Sequence, residues 1–413
     1  MRILSEAAAE RRVTQLASRS SEYGVLEPKV RRIIENVRET GDRAVRDYAE
    51  RWDGLGPRSQ LRVSESEVEE AASRVTPQLR KSLKQAQSNI RRFCEWQRPR
   101  GWMRQVPGIS LGQVVRPIES VGCYVPGGRH PLISTFFMTV IPAQTAGVPN
   151  IRVASPNPGV ELLAAAHMLG IKEVYRIGGA HAIEAMAYGT KSIPRVDKIV
   201  GPGNQFVTIA KKLVAFDCSI DFLAGPTEVV ILSSHGRAKF IAADLVAQAE
   251  HDPAAIPIFI TTSKRLAIEV SKHVDEMVIE NRVAADAVRQ NGAVLVARSL
   301  REAAGWANRI APEHITVDED SLPLIQNAGS IFVGDYSAQA AGDYASGPNH
   351  VLPTAGVARF RGGLTVMDFV KIIAVQKVSR KGLNRMGKVI VHLAETEGLI
   401  AHAESIRIRC NHA

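Results

Sequence analysis

Cysteine is scarce in this chain, and its four copies lie far apart. The 413 residues contain only Cys94, Cys123, Cys218 and Cys410, and no two of them form a CxxC pair. This spacing excludes a disulfide framework and a zinc site built from cysteine thiolates. We therefore expect four reduced thiols, as is usual in the cytoplasm.

Long apolar runs are also missing, and we expect no secretory signal at the N-terminus. No apolar stretch approaches the ~18 residues that a membrane-spanning helix requires. The N-terminal segment MRILSEAAAERR carries acidic side chains and has no long apolar core, unlike a secretory signal. Charged residues make up 23% and hydrophobic residues 45% of the chain, an ordinary balance for a folded protein. These features predict a cytoplasmic globular protein, and the length suggests two or three domains.

Positive charge is concentrated in one segment. The whole chain has a net charge of +10, and residues 74–104, with nine Lys or Arg and one Glu, have a net charge of +8. Thr76 and Pro77 predict the start of a helix whose basic side chains lie mostly off its apolar stripe. A solvated basic helix face explains this pattern. The alternative is a nucleic-acid surface, because Trp96 and Trp102 alternate with arginines.

Short apolar runs alternate with helical patterns from about residue 116 onward. Ten strands are predicted there, at 118–125, 150–155, 173–178, 197–200, 219–223, 228–233, 256–262, 292–297, 314–317 and 330–333. Helices are predicted between several of them, for example at 159–169, 204–215 and 237–251. This alternation predicts an α/β fold with two mainly parallel sheets.

The same patterns suggest four regions. We expect a mainly helical N-terminal region at 1–115 that packs on the second α/β domain. The α/β domains themselves are expected at 116–226 and 227–361, divided near the Gly225–Pro226 break. A helical C-terminal tail is expected at 362–413.

Two polar residues on one predicted helix have the spacing of metal ligands. Gln248 and His251 are three positions apart and therefore share a helix face. Asp343 and His402 are the best candidates for further ligands, and this donor set suits zinc or a similar divalent ion. The alternative is a polar helix end with no metal.

A Glu–His pair, Glu313 and His314, stands at the start of a predicted strand. Adjacent residues at such a position can both reach a cleft. Histidine is easily poised for proton transfer near neutral pH, and a desolvated glutamate can act in the same way. Ordinary surface polarity is the alternative explanation for this pair.

Three glycine-rich turns follow predicted strands, at 124–128, 178–181 and 201–204. Each comes before a helical pattern, and helix N-termini of this kind accept phosphate oxygens. None has the GxGxxG spacing of the ordinary dinucleotide fingerprint. The turns therefore suit either a nucleotide or simple helix capping.

Taken together, the segments resemble the histidinol dehydrogenase family from about Val114 to His402. Nine of its motifs occur in order: VGCYVPGG, IGGAHAIEAMAYGT, VDKIVGPGN, IDFLAGPTEVVI, AQAEHD, APEHIT, GDYASGPNHVLPT, GGLTVMDFVK and EGLIAHAES. The resemblance implies two incomplete Rossmann-like domains in a homodimer. It also implies an NAD-dependent, zinc-requiring enzyme that oxidises L-histidinol through L-histidinal to L-histidine, using two NAD and one water.

The motifs also carry residue roles from the family to this chain. They imply one zinc per site bound by Gln248, His251, Asp343 and His402, with His402 coming from the partner subunit. Proton acceptors are implied at Glu313 and His314. Substrate contacts are implied at the four zinc ligands and at His314. Further substrate contacts are implied at Thr227, His350 and Glu397. NAD contacts are implied at Tyr124, His181 and Asn204, although the family usually has Gln where this chain has His181.

Two other functions stay open as alternatives. A related dehydrogenase on the same scaffold could oxidise another polar alcohol, such as a sulfonated diol. A nucleic-acid-binding protein that uses residues 74–104 would leave the ordered motifs unexplained. We therefore expect a small-molecule substrate, and neither nucleic acid nor membrane as a partner.

Overall fold

The computed structural model describes residues 1–19, 24–127 and 132–410. Gly128, in the first glycine-rich turn, lies outside the described residues. The strands are β1 (Arg2–Ser5), β2 (Trp102–Val106), β3 (Ile109–Pro117), β4 (Ser120–Tyr124), β5 (Asn150–Ala154), β6 (Glu173–Tyr175), β7 (Lys198–Val200), β8 (Ser219–Ile220), β9 (Glu228–Leu232), β10 (Ile256–Thr261), β11 (Ala293–Val296), β12 (His314–Val317), β13 (Ser330–Val333) and β14 (Val370–Val378).

The helices lie mostly between these strands. They are α1 (Glu6–Ala17), α2 (Glu27–Thr40), α3 (Asp42–Trp52), α4 (Glu65–Arg74), α5 (Pro77–Trp96), α6 (Ile133–Ala146), α7 (Val160–Met168), α8 (Gly179–Tyr188), α9 (Gln205–Val214), α10 (Ala238–Ala249), α11 (Lys264–Met277), α12 (Arg282–Asn291), α13 (Leu300–Ile310), α14 (Gln339–Tyr344), α15 (Arg380–Thr396) and α16 (Ile400–Cys410). None of these described helices has the length and apolar character needed to cross a bilayer.

The first sheet is parallel, in the order β6-β5-β4-β7-β8. Every residue of its central strand β4 is buried, as expected of a parallel strand with helices on both faces. The strand order reverses between β4 and β7, so a crevice opens beyond their carboxyl ends.

The second sheet is also parallel, in the order β1-β11-β10-β9-β12-β13. Its strand order reverses between β9 and β12. The predicted α/β fold with two mainly parallel sheets is therefore confirmed, and all ten predicted strands are present within a few residues of their expected ends.

Four strands were not predicted. The edge strand β1 adds to the second sheet, while β2, β3 and β14 form a separate antiparallel sheet in the order β14-β3-β2. All five residues of β2 are exposed. Since neither face of this strand is buried, its sequence lacks the alternation of apolar and polar residues that predicts a strand. The expected helical C-terminal tail contains α15 and α16, but it also contains β14, which pairs with β3 far away in the sequence.

The N-terminal region divides its contacts between the two sheets. Helix α1 packs on α13 beside the second sheet, whereas α2 and α3 pack on α8, α4 on α7 and α5 on α6. The expected packing on the second α/β domain is therefore wrong for α2–α5, whose buried faces join the cores around the first sheet. Helix α5 begins as predicted, since the Thr76 hydroxyl accepts a hydrogen bond from the Leu79 N–H at 3.2 Å.

Candidate active site

The Glu–His pair lies at the amino edge of the second sheet. Strands β9 and β12 are parallel neighbours, and His314 pairs with Val229. This register brings Glu313 beside the start of β9, where the Glu228 N–H donates to Glu313 Oε2 at 3.0 Å. The contact spans 85 residues and depends on the pairing of the two strands.

His314 is buried between two carboxylates. Its side chain is 4% exposed, with Nδ1 3.7 Å from Glu313 Oε2 and Nε2 3.6 Å from Asp343 Oδ1. Neither ring nitrogen has a hydrogen-bond partner among the described residues. Buried polar atoms normally have partners, so the ring is available to a group that the chain itself does not supply.

Gln248 and His350 hold Asp343 from two further directions. Gln248, in the last turn of α10, is buried and donates from Nε2 to Asp343 Oδ2 at 3.3 Å. His350 Nδ1 lies 2.8 Å from the backbone oxygen of Asp343, and Nε2 lies 3.2 Å from the Thr135 hydroxyl. A carbonyl only accepts, so Nδ1 carries the proton and donates. His251 is exposed and close enough to Asp343 to be one of the groups that lower the pKa of this carboxyl.

Burial and charge set unusual proton affinities in this cluster. Burial raises the pKa of Glu313 to about 7. Burial alone would lower the pKa of His314, but the carboxylates of Glu313 and Asp343 outweigh this effect and raise the pKa. Burial alone would raise the pKa of Asp343, but the nearby His314 ring outweighs this effect and lowers the pKa. Glu313 can therefore gain or lose a proton near neutral pH, as a general base must.

The remaining predicted site residues divide into two groups. Thr227 precedes Glu228 at the same sheet edge, and its carbonyl accepts the Ile256 N–H at 2.9 Å. Glu397 and His402 are exposed where α15 and α16 meet. Within the described ranges, neither makes a hydrogen bond or an ion pair with Gln248, His314 or Asp343. One chain therefore brings together all the predicted zinc-site residues except those in the tail.

The three residues expected to contact NAD line one cavity at the carboxyl edge of the first sheet. This cavity of about 630 Å³ includes Tyr124, His181 and Asn204 in its wall. It lies at the crevice between β4 and β7, where open α/β sheets bind ligands. Asn204 caps α9 by accepting the Val207 N–H at 3.2 Å, and the Tyr124 hydroxyl accepts the Gly179 N–H at 3.1 Å.

The turn that carries Asn204 requires glycine. Gly201 has a φ of +116°, and a Cβ at this position would lie 2.1 Å from the Tyr124 carbonyl oxygen. Asp221 Oδ2 accepts the Gly201 N–H at 2.8 Å, and the buried Lys211 amine contacts both Asp221 and the Gly201 carbonyl. This buried pair fixes the turn against the end of β4.

Sequence patterns did not identify Asp53 or Glu228. Asp53 lies 128 residues before His181, yet its Oδ2 is 2.8 Å from His181 Nε2 and accepts the Gly178 N–H at 2.7 Å. Glu228 forms a two-point ion pair with Arg19, with distances of 2.6 and 2.5 Å. Both contacts join distant segments, so no local spacing could have indicated them.

A separate group of potential ligands lies at the opposite edge of the second sheet. His235, Asp318 and Asp320 follow β9 and β12, and one ligand atom from each lies within 4.8 Å of the others. Asp318 also accepts the Ser234 N–H at 2.9 Å. None of the four predicted zinc ligands belongs to this group.

Comparisons with known proteins agree on the family. The sequence model described as histidinol dehydrogenase matches residues 16–410. The chain is 46% identical to a histidinol dehydrogenase of Methanothermobacter thermautotrophicus, over 97% of each chain. It is 44% identical to one of Geobacter metallireducens, over 95% of this chain and 94% of the relative.

A solved structure gives the same result for the fold. The crystal structure of histidinol dehydrogenase from Elizabethkingia anophelis superposes with a TM-score of 0.94 at 34% identity. The match covers 99% of this chain and 98% of that one. The family indicated by the nine ordered motifs is thereby confirmed, and the chain belongs to the histidinol dehydrogenase family of oxidoreductases.

Proposed function

We propose that this protein oxidises L-histidinol through L-histidinal to L-histidine, using two NAD and one water. The observation that carries the proposal is the buried cluster of Glu313, His314 and Asp343, in which the His314 ring has no hydrogen-bond partner among the described residues. Two groups able to accept protons thus lie side by side, and the two oxidations each release one proton with one hydride.

The cavity at the carboxyl edge of the first sheet suits NAD. Gly127 and Gly179 allow close approach of a phosphate to the backbone, and α8 and α9 start in its wall. When bound, NAD supplies the hydride acceptor. Tyr124 and Asn204 both line this cavity, which supports their proposed role in cofactor binding.

The donor set around Asp343 suits zinc. A carboxylate, the Gln248 amide and an imidazole at His251 are hard and borderline ligands of the kind that zinc accepts. When bound, zinc would orient the substrate's imidazole and amine rather than take part in proton transfer. His402 completes the proposed ligand set from a partner subunit.

Proton transfer is assigned to the chain's own side chains. The unprotonated ring nitrogen of His314 takes the hydroxyl proton as hydride leaves the alcohol carbon. Glu313 then takes a proton from the water that adds to the aldehyde, while His314 returns its proton to the aldehyde oxygen, which gives the neutral hydrate. His314 takes a hydroxyl proton of this hydrate as the second hydride leaves, so it acts in both oxidations. The Glu228 N–H donates to Glu313 Oε2 at 3.0 Å, while Oε1 has no partner in the described ranges and can accept the proton from water.

Several features support a homodimer with shared sites. Large apolar side chains are exposed along the C-terminal elements, namely Ile372, Ile373, Val389, Leu393, Leu399, Ile400 and Ile408. Large exposed apolar side chains that recur along neighbouring elements are typical of an interaction site. Glu397 and His402 lie beside it, away from their own chain's cluster.

Mixing two inactive variants tests the shared site. After subunit exchange between His402→Ala and His251→Ala homodimers, half of the dimers are mixed and each mixed dimer regains one intact site. Activity should then return to about a quarter of the wild-type value. No recovery after exchange is verified by mass spectrometry would contradict the shared site.

The overall reaction is tested by its stoichiometry. With L-histidinol, NAD and zinc, two NADH should form for each histidinol consumed, with histidine as the product. One NADH per substrate with accumulating aldehyde, or no NADH at all, would contradict the proposal. A sulfonated diol supplied in place of histidinol provides the substrate control.

A further inference from the structure

The wall of the cofactor cavity contains a carboxylate that no motif predicts. Asp53 follows α3 and lines the cavity, although its side chain is only 7% exposed. Its Oδ2 accepts the Gly178 N–H at 2.7 Å and contacts His181 Nε2 at 2.8 Å. Since one oxygen takes both donors, the orientation of the carboxylate is fixed.

The other oxygen of Asp53 is available to a ligand. Asp53 Oδ1 has no hydrogen-bond partner in the described part of the chain. It is not among the unpartnered polar atoms that are completely buried, so it remains accessible. His181 behaves differently, because its side chain is 1% exposed and its Nδ1 is fully buried. The polar group that this corner presents to the cavity is therefore the Asp53 carboxylate, and His181 lies behind it.

The surroundings of Asp53 indicate which part of a dinucleotide it faces. Ile33, Trp52 and Phe206 give the cavity an apolar wall next to Asp53. Trp52 is half exposed and stacks on Tyr48 with 4.7 Å between ring centroids. A flat apolar wall suits a base. The helix N-termini suit the pyrophosphate. The Asp53 carboxylate lies between the apolar wall and these helix N-termini, where the ribose that joins the base to the pyrophosphate would be placed.

We propose that Asp53 accepts a hydrogen bond from a ribose hydroxyl of the cofactor and thereby selects NAD against NADP. This proposal rests on the proposed function, since it takes the cavity to be the NAD site. A ribose 2′-phosphate would bring negative charge against the carboxylate, and such a repulsive contact is an effective source of specificity. His181 is a positioning residue, because its Nε2–H holds Asp53 in place.

Direct binding tests the proposal without requiring turnover. Calorimetry should show that the wild-type protein binds ADP-ribose more tightly than ADP-ribose 2′-phosphate. In Asp53→Asn, the amide oxygen can keep both donors while the amide NH₂ replaces Oδ1 at the cavity. Loss of a hydrogen bond to a charged group should weaken ADP-ribose binding about 10-fold and shift the preference toward the 2′-phosphate by at least as much.

Matched variants separate this role from a structural one. Asp47→Asn makes the same chemical change at an exposed position of α3 and should leave both affinities unchanged. His181→Leu removes the donor to Asp53 and should lower the preference for ADP-ribose. His181→Gln places an amide donor near the position of Nε2 and should restore that preference.

The outcomes distinguish this proposal from the proposed function. Equal wild-type affinity for the two probes, or a preference unchanged in Asp53→Asn, would overturn the role of Asp53 even if histidinol oxidation is observed. Selective ADP-ribose binding that is lost in Asp53→Asn, in a protein that does not oxidise histidinol, would support Asp53 and overturn the proposed function. The wild-type comparison remains decisive if a variant does not fold.

Discussion

The two parallel sheets of this chain share a topology, but their candidate sites lie at opposite edges. In the first sheet, the cavity lies beyond the carboxyl ends of β4 and β7, where the strand order reverses. In the second sheet, the order reverses between β9 and β12, yet Glu313 and His314 lie at the amino end of β12. The carboxyl edge there carries His235 and Asp320 instead.

If the proposed roles of Glu313 and His314 hold, a strand-order reversal alone does not locate the catalytic residues. The general rule for open α/β sheets describes the first sheet well. At the amino edge of the second sheet, three separate elements converge: the start of β9 through the Glu228 N–H, the end of α10 through Gln248, and α14 through Asp343.

The largest expected effect comes from removing two proposed ligands of the zinc site, Asp343 at the amino edge and His402 in the tail. Asp343→Ala combined with His402→Ala leaves only two of four ligands, fewer than zinc sites in proteins normally have. We expect loss of bound zinc and of activity. Elemental analysis of the purified protein, together with NADH formation, measures both. Full zinc occupancy in this double variant would show that the metal is held elsewhere.

His314→Asn should slow both oxidations while zinc stays bound. Asparagine cannot accept the proton that the imidazole takes, and a general base typically contributes ~10² to 10⁴ in rate. Single-turnover NADH formation from histidinol and from histidinal measures the two steps separately. If zinc is retained and either step keeps its wild-type rate, His314 is not the shared proton acceptor.

Much of this architecture could be predicted from local patterns, and the rest could not for a physical reason. The strands β9 and β10 fall within a residue of their predicted positions because buried parallel strands are nearly continuous apolar runs. Glu313 and His314 could be identified because they are adjacent in a motif. The contact between Asp53 and His181 arises only when distant segments pack together, so no local pattern predicts it. The strand β2 is exposed on both faces, so its sequence has no apolar alternation that would predict a strand.

Glu313→Gln should act on one step more than the other. Glutamine can still accept the Glu228 N–H, so the local structure should persist, but it cannot take a proton from water. Histidinal oxidation should slow by at least ~10², the low end for a general base, and histidinol oxidation by less. The same single-turnover assay, with zinc content measured in parallel, gives the ratio. Equal losses in both steps with zinc intact would refute this division of roles.

The smallest effect is expected at the carboxyl edge of the second sheet. His235 and Asp320 are exposed there, so His235→Gln with Asp320→Asn should change the free energy of unfolding by less than about 0.5 kcal/mol. Asp318 is left in place because it accepts the Ser234 N–H at 2.9 Å. Zinc content and both oxidation rates should match the wild type, since no proposed ligand or proton acceptor lies at this edge. Urea unfolding, elemental analysis and NADH formation test the three quantities. Loss of zinc together with activity would move the metal site to the carboxyl edge, and the two sheets would then use the same edge after all.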